Sequence, residues 1–244
     1  MTPSINFDPA SLITLNILIA SMMFGVSLTL RPSDFHRIVK APRAPVAGLL
    51  AQFLLLPLST CLLTWWLEID AQLALGMILI ASCPGGSFSN VMTWLGRGNV
   101  AVSVSMTAIS SLAATVLTPL NFALYGWLNP LTREYLMVIS LQPENVLLLV
   151  GIVLGIPLIL GMTVGARFPR FAERSERPLR FLSLLVFLIF VGIAFSKNIT
   201  LFVAQFNQFF WLVVGHNLLA LALGFGMAKL TRLDIPDRRA VTME

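Results

Sequence analysis

The chain has 244 residues, of which 57% are hydrophobic and only 11% are charged, and its 16 basic and 11 acidic side chains give a formal net charge of +5. An ordinary soluble domain carries about 25% charged residues, so this composition excludes a soluble globular protein. The basic surplus lies in short segments between long apolar runs, which is typical of a membrane protein rather than of one that binds nucleic acid. We expect no nucleic acid partner.

Seven apolar runs are candidates for transmembrane helices, since a bilayer core about 30 Å thick needs about 20 helical residues. The runs are continuously apolar and rich in Leu, Ala, Gly and Met instead of alternating, which favours helices over a β-barrel. The sequence therefore predicts an all-α, polytopic membrane protein. In chain order the predicted spans are Leu12–Leu30, Val46–Leu67, Leu73–Leu95, Val100–Leu120, Val146–Gly165, Phe181–Phe195 and Phe202–Ala228.

The distribution of Lys and Arg predicts how the chain is oriented. Fourteen of the 16 basic residues lie on the connections after the first, third, fifth and seventh spans, and the opposite connections hold only Arg133 and Lys197. The positive-inside rule places the basic connections in the cytoplasm and the N-terminus outside. A signal peptide has a positively charged segment before its apolar region, whereas no Lys or Arg precedes the first span here. We therefore expect Met1–Leu30 to be retained. The prediction is a multi-pass protein of a plasma membrane or a bacterial inner membrane.

The third span is interrupted near its middle by the segment Cys83-Pro84-Gly85-Gly86. Pro84 removes a backbone donor and the two glycines favour unwinding, so the sequence predicts two half-helices. In hydrocarbon, non-helical backbone is tolerated only where it is buried in protein or lines a wet cavity. This requirement favours an ion or substrate site at the break. A simple packing kink stays open as the alternative.

The interiors of the predicted spans contain no Lys, Arg, Asp or Glu, which argues against a proton relay. Their neutral oxygens suit hard cations instead. Ser103, Thr107 and Ser110 are spaced so that they share one face of the fourth span. The alternative is that such hydroxyls only bond to their own backbone and ease helix packing. The neutral oxygen donors of interest are Gln52, Ser89, Asn90, Ser103, Thr107, Ser110 and Ser111.

Other reactive side chains do not indicate catalysis. His216 lies among apolar residues of the seventh span, where a hydrogen bond between helices is favoured over a substrate contact. Cys61 and Cys83 lie in apolar spans and are expected to be free, buried thiols. The sequence has no Gly-x-Ser-x-Gly elbow, phosphate-binding loop or His-Glu-x-x-His helix. We therefore expect that the protein is not an enzyme.

Three segments share an arrangement with a known family: Ser82–Met92 continuing through Gly96–Asn99 to Ser103 and Thr107; Gln52, Phe53 and Pro57; and Arg238–Glu244. The first resembles the first broken helix, and the helix after it, of the bile acid:sodium symporter family. The second is similar to the helix before that break, and the third to the entry of the family's second broken helix. The resemblance covers nearly the whole chain. It implies an inverted-repeat transporter in which two broken helices cross near the bilayer centre.

The resemblance also implies two sodium sites that share Glu244, with sodium as the coupling ion and no other metal or cofactor. The ligands implied for the first site are Ser89, Asn90, Ser103, Thr107 and Glu244. Those implied for the second are Gln52 and Glu244. Neutral oxygens would replace the hydration shell of each ion, and the carboxylate would offset its charge.

We expect residues 1–244 to form a single transmembrane transporter domain. Its implied core-domain elements are 46–120 and 202–244, and its implied panel-domain elements are 12–30 and 146–195. The sequence stops at Glu244, where the second broken helix would begin, so we expect seven spans here and nine in a full-length protein. The absent helices would carry part of the substrate site.

The function implied by the resemblance is sodium-coupled symport of an organic anion, either a bile acid-like molecule or a small carboxylate such as pantoate. Two alternatives stay open: a truncated membrane protein that does not transport, and an organic-anion carrier that does not use sodium. The expected partners are the anion, sodium and the lipid bilayer. No substrate-binding residue and no oligomeric state is assigned from the sequence.

Overall fold

The computed structural model describes residues 42–86, 88–138, 155–197 and 199–244, together with the single positions Ile17, Ala20, Ser21, Phe24, Leu28 and Ile152. All regular elements in these residues are helical and none is a strand, which confirms the all-α prediction. The predicted first span lies almost entirely outside the described residues, as does the first part of the predicted fifth span.

The helices from α1 to α6 follow one another closely along the chain, as do those from α7 to α10. A π-helical turn, Ala51–Leu55, joins α1 to α2 so that one helical rod runs from Arg43 to Trp66. In chain order the helices are α1 Arg43–Leu50, α2 Leu56–Trp66, α3 Ala71–Ser82, α4 Phe88–Leu95, α5 Val100–Leu128, α6 Pro130–Val138, α7 Ile156–Arg167, α8 Pro169–Lys197, α9 Ile199–Leu230 and α10 Ile235–Met243.

Three helical stretches of the described residues are long and apolar enough to cross a bilayer: Arg43–Trp66, Val100–Leu128 and Phe209–Leu230. They correspond to the second, fourth and seventh predicted spans, and the total of seven spans stays a prediction. The fourth span was expected to end at Leu120, but α5 continues through Pro119 to Leu128. Its added turns are held by packing, since Asn121 and Tyr125 are buried.

The predicted interruption of the third span is confirmed. Helix α3 ends at Ser82, α4 begins at Phe88, and residues 83–86 between them are not helical. The carbonyl oxygen of Ser82 accepts a 2.7 Å hydrogen bond from the Thr118 hydroxyl of α5, which replaces a donor lost with the helix. Cys83 is exposed rather than buried, because unwinding turns its backbone out of the helix; Cys61 is buried as expected.

Polar side chains fix where α3 and α5 begin. Asp70 precedes α3 and accepts hydrogen bonds from the backbone N–H groups of Gln72 and Leu73, at 3.0 and 3.4 Å. Asn99 precedes α5 and accepts one from Val102 at 3.3 Å. These side chains satisfy donors that have no partner inside the first helical turn. The two caps define where α3, the helix before the break, and α5, the helix after α4, begin.

The chain divides into two compact units. One comprises Met1–Arg31 with Leu149–Leu212, and the other, called here the α5 unit, comprises Pro32–Leu148 with Val213–Glu244. In the first unit α7 packs against α8. In the α5 unit, α5 packs against α1, α2, α3, α4, α6 and α10. Helix α5 is therefore the element around which this unit is built.

The core of the α5 unit contains two groups of buried apolar side chains. One group joins α1, α5, α9 and α10, and the other joins α2, α3 and α5. The first consists of Ala44, Ala47, Met106, Ala228, Leu233 and Val241, and the second of Cys61, Ile78 and Tyr125. The alanines keep the helix axes close, so that short polar side chains on neighbouring helices can reach one another.

Gly224 of α9 provides a first test of this packing. A Cβ at Gly224 would lie 3.0 Å from the Val241 carbonyl oxygen and 3.2 Å from the Thr242 Cα of α10. The replacement Gly224→Val should therefore push α10 away and cost about 1–3 kcal/mol of stability. The measurement is the melting temperature (Tm) of the purified protein in detergent micelles.

The matched control is Gly226→Val on the same helix. No atom lies within 4 Å of the position of a Cβ at Gly226, so this variant should melt close to the parent. Equal losses of Tm in the two variants would contradict the close approach of α9 and α10.

Candidate functional site

The carboxylate of Glu244 is surrounded by hydroxyl groups. Its Oε2 lies 2.6 Å from the Ser89 Oγ and 3.1 Å from the Ser103 Oγ, and its Oε1 lies 2.7 Å from the Thr107 Oγ1. Glu244 directly follows α10, Ser89 belongs to α4, and the other two belong to α5. Two consecutive helices, α4 and α5, therefore meet at a carboxylate that is distant from both in sequence.

Asn90 completes this cluster. Its Oδ1 lies 2.7 Å from the Ser103 Oγ and 3.3 Å from the Thr107 Oγ1. The five residues that the sequence assigned to one sodium site are thus brought together: Ser89, Asn90, Ser103, Thr107 and Glu244. We call them the Glu244 cluster. Ser103 is fully buried and Ser89 is 7% exposed, whereas Asn90, Thr107 and Glu244 are partly exposed.

The break and the α5 spacing account for this geometry. Ser89 and Asn90 lie in the first turn of α4, directly after the unwound segment, and Ser103 and Thr107 lie one turn apart on α5. Gly85 lets Glu244 approach the break, because a Cβ there would lie 2.8 Å from the Glu244 carbonyl oxygen and 3.0 Å from its Oε1. An alanine at this position would displace the carboxylate.

The cluster has more acceptor oxygens than protons. The Ser89 Oγ lies within 2.8 Å of both the Gly86 carbonyl oxygen and Glu244, and the Ser103 Oγ lies within 3.1 Å of both Asn90 and Glu244. The Thr107 Oγ1 has three such neighbours within 3.3 Å. Each hydroxyl carries one proton and can satisfy only one acceptor. The remaining oxygens are close enough together for a single cation to contact several of them.

Thr93 is a further member of the site that sequence reasoning missed. It is fully buried on α4, and its hydroxyl donates a 3.2 Å hydrogen bond to the Ser103 Oγ. This bond ties α4 to α5 beside the cluster. Its position four residues after Ser89 and three after Asn90, on the same face of α4, was the available signal.

Gln52 lies on a cavity shared with Glu244, although no hydrogen bond joins the two side chains. The cavity is about 310 Å³, and its polar lining includes Gln52, His216, Asn217, Thr242, Glu244 and the unwound backbone of Cys83–Gly85. Gln52 is 9% exposed, and its Oε1 is buried with no hydrogen-bond partner. Leaving a buried amide oxygen unpaired is costly, so Gln52 is a candidate ligand for a cation bound beside it.

Other polar residues of the spans have local roles. Ser110 and Ser111 each donate to the Thr107 carbonyl oxygen, at 3.2 and 2.7 Å, so for them the backbone-bonding alternative is correct. The prediction that His216 bonds to a neighbouring helix is confirmed, since its Nε2 lies 2.9 Å from the Thr60 Oγ1 of α2. The Thr60 proton is directed at the Leu56 carbonyl oxygen, 2.7 Å away, so the ring N–H is the donor.

A polar latch holds α10 against the α4–α5 turn. The Asn99 amide donates a 2.7 Å hydrogen bond to the Asp237 carboxylate, and its backbone N–H donates to the Pro236 carbonyl oxygen at 2.9 Å. The Arg239 guanidinium donates to the Gly96 carbonyl oxygen at 3.0 Å. Burial raises the pKa of Asp237, and the Asn99 hydrogen bond opposes that rise. The latch fixes the start of α10, the helix that Glu244 directly follows.

Comparison with known proteins points to one family. The model of the sodium bile acid symporter family matches residues 16–205. An uncharacterized sodium-dependent transporter of Bacillus subtilis, YocS, is 33% identical over 230 residues, which are 94% of this chain and 69% of that protein. The probable chloroplastic sodium/metabolite cotransporter BASS2 of Oryza sativa subsp. japonica is 31% identical over 91% of this chain and 51% of its own length. Human sodium/bile acid cotransporter 4 is 30% identical over 91% of this chain and 50% of its own length.

These relatives are transporters and not enzymes, in agreement with the lack of catalytic motifs in the sequence. The chain spans about two thirds of the bacterial protein and about half of the plant and human proteins. The matched region includes the break, the α4–α5 turn and the whole of α5, and it ends within α9.

The latch predicts a rescue by exchange of its two partners. Asn99→Asp would face Asp237 with a second carboxylate while keeping an oxygen that can cap α5, and it should cost about 1–3 kcal/mol of stability. The double variant Asn99→Asp with Asp237→Asn restores one amide donor opposite one carboxylate. It should regain most of the loss in Tm, measured in detergent micelles.

Glu134→Gln, an exposed acid-to-amide change on α6, is the control and should leave the Tm unchanged. If the double variant were as unstable as the two single losses added together, the latch would not have the role that its geometry indicates.

Proposed function

The chain belongs to the sodium bile acid symporter family, and we propose that it is a secondary active transporter that couples sodium entry to the uptake of an organic anion. The substrate would be a bile acid-like molecule or a small carboxylate. The observation that carries the proposal is the Glu244 cluster, in which hydroxyl groups of α4 and α5 converge on one carboxylate and the Asn90 amide oxygen lies beside them.

The chemistry of the cluster favours a monovalent hard cation. All of its potential ligands are oxygens, which prefer hard ions over the transition metals that bind imidazole and thiolate. The Glu244 carboxylate can neutralise the charge of one monovalent ion bound in the cluster. Sodium is such an ion, and relatives of this chain are named as sodium-dependent transporters or sodium/metabolite cotransporters.

A second sodium ion is proposed in the cavity between Gln52 and Glu244. Gln52 and residues Cys83–Gly85 of the break lie on its wall and would supply neutral oxygens. Both ions would share Glu244. An inside-negative membrane potential contributes about 2.3 kcal/mol per charge per 100 mV, so two entering sodium ions would outweigh one entering anion.

The division of the chain supports a transporter with a moving core. The α5 unit contains the cluster, the break and the latch; it includes the expected core-domain element 46–120 and residues 213–244 of the element 202–244, whereas residues 202–212 fall in the other unit. The other unit parallels the expected panel-domain elements 12–30 and 146–195. Relative movement of two such units is how related transport folds expose a site to alternate sides. We propose the same arrangement here, with the N-terminus outside.

The test is sodium dependence in the longest product of the gene that contains this chain. Proteoliposomes should accumulate taurocholate or pantoate when an inward sodium gradient is imposed, and accumulation should disappear when choline replaces sodium. Sodium alone should also raise the Tm of the purified protein, because an ion that binds only the folded state stabilises it. Equal accumulation in sodium and choline, or an unchanged Tm, would count against the proposal.

The cluster predicts which substitutions weaken the sodium response. Thr107→Ala should raise the sodium concentration at half-maximal effect about tenfold, as expected for the loss of about 1.4 kcal/mol of ion–dipole interaction. Ser105→Ala is the control on the same helix, because the Ser105 hydroxyl donates to the Ala101 carbonyl oxygen at 2.7 Å and does not face Glu244. The same titration in both variants would remove Thr107 from the site.

A further inference from the structure

The π-helical turn Ala51–Leu55 has an identifiable cause in the sequence. Pro57 follows it and lacks the N–H that would bond to the Phe53 carbonyl oxygen in an α-helix. The Leu56 N–H instead bonds to the Ala51 carbonyl oxygen, five residues earlier. A π-helical turn takes up one extra residue and is often found at functional sites. Gln52 is the polar residue in this turn.

Two side chains of α5 contact backbone carbonyl groups of the turn. The Asn121 amide donates a 2.7 Å hydrogen bond to the Phe53 carbonyl oxygen, and the Tyr125 hydroxyl lies 3.5 Å from the Leu54 carbonyl oxygen. Both residues are buried, with exposed fractions of 7% and 4%. In apolar surroundings an unpaired carbonyl is costly, so Asn121 stabilises the turn in its present form.

The turn determines where the Gln52 side chain points. Each residue advances an α-helix by about 100°, so loss of the extra residue would rotate Gln52 by roughly that angle relative to α2. As held, Gln52 lines the cavity with Glu244 and keeps its Oε1 free of protein partners. Asn121 therefore contacts the backbone of the turn and not the cavity, and its influence on the cavity passes through Gln52.

We propose that Asn121 is a positioning residue for the ion site at Gln52: its amide holds the π-helical turn, and the turn places Gln52 on the wall of the cavity. This inference rests on the proposed function, because it takes sodium as the ligand of Gln52. The inference adds Asn121 to the residues that influence the ion site, although Asn121 itself would contact neither the ion nor the substrate. Pro57 and Asn121 act as a pair, since one frees the Phe53 carbonyl and the other binds it.

The experiment is a sodium titration that needs no transported substrate. The Tm of the purified protein in detergent is measured against NaCl, with choline chloride added to keep the ionic strength constant. Asn121→Leu, which is similar in size and lacks a donor, should raise the sodium concentration at half-maximal effect about tenfold. The same increase is expected for Gln52→Ala. Tyr125→Phe should raise it in the same direction by a smaller factor, and it serves if Asn121→Leu does not fold.

A double variant distinguishes positioning from a general loss of stability. If Asn121 acts through Gln52, then adding Asn121→Leu to Gln52→Ala should leave the half-effect concentration unchanged from that of Gln52→Ala. A further rise equal to that of the single variant would overturn the inference. So would a sodium titration in Asn121→Leu that matches the parent while only the Tm falls.

The control is Asn129→Leu. Asn129 is also a buried amide of the same chain segment, and it donates to the Thr64 Oγ1 at 2.9 Å, near the far end of α2 from Gln52. This variant should lower the Tm without changing the sodium titration. A parent protein whose Tm does not respond to sodium would refute the proposed function itself, whereas a responsive parent with an unaffected Asn121→Leu variant would refute only the positioning role.

Discussion

The constraint that shapes this protein is that a carbonyl group freed from a helix must find another donor where water is scarce. Helix α5 supplies that donor at successive levels. Thr118 bonds to the Ser82 carbonyl oxygen at the end of α3, and Asn121 bonds to the Phe53 carbonyl oxygen in the π-helical turn. Each interruption of a neighbouring helix is thus matched by a polar side chain of α5. The interruptions are stable because α5 is continuous.

The continuity of α5 explains how the oxygens of the Glu244 cluster are held close together although the cluster has more acceptor oxygens than hydroxyl protons. Ser103 and Thr107 are fixed by α5, and Ser89 and Asn90 by the turn after the break. Moving any of these four residues away from Glu244 would disturb the packing of the helix to which it belongs. Preorganised oxygens of this kind would bind the proposed cation without the reorganisation that water would need. The packing that holds the helices would then also contribute to the affinity for the ion.

The sequence alone predicted the helical class, the interruption at residues 83–86 and the bond of His216 to another helix, because proline, glycine and an isolated polar residue act locally. It did not predict the length of α5, since Pro119 resembles a helix end and only packing carries the helix past it. Nor did it predict the exposure of Cys83, which depends on the direction in which the unwound backbone leaves α3. The π-helical turn and its partner Asn121 are separated by nearly seventy residues, and no local pattern relates them.

In the proposed arrangement, a carboxylate shared by two ions would give a physical reason for coupling them. Glu244 accepts hydrogen bonds from Ser89 and Thr107, and the Gln52 Oε1 has no hydrogen-bond partner. A first ion would satisfy the cluster and fix the carboxylate at the edge of the cavity, so that a second ion would meet Gln52 and Glu244 already in place. Each ion would then lower the ordering cost of the other, which is positive cooperativity. Repulsion between two positive charges opposes this effect, and the single negative charge between them is what limits that repulsion.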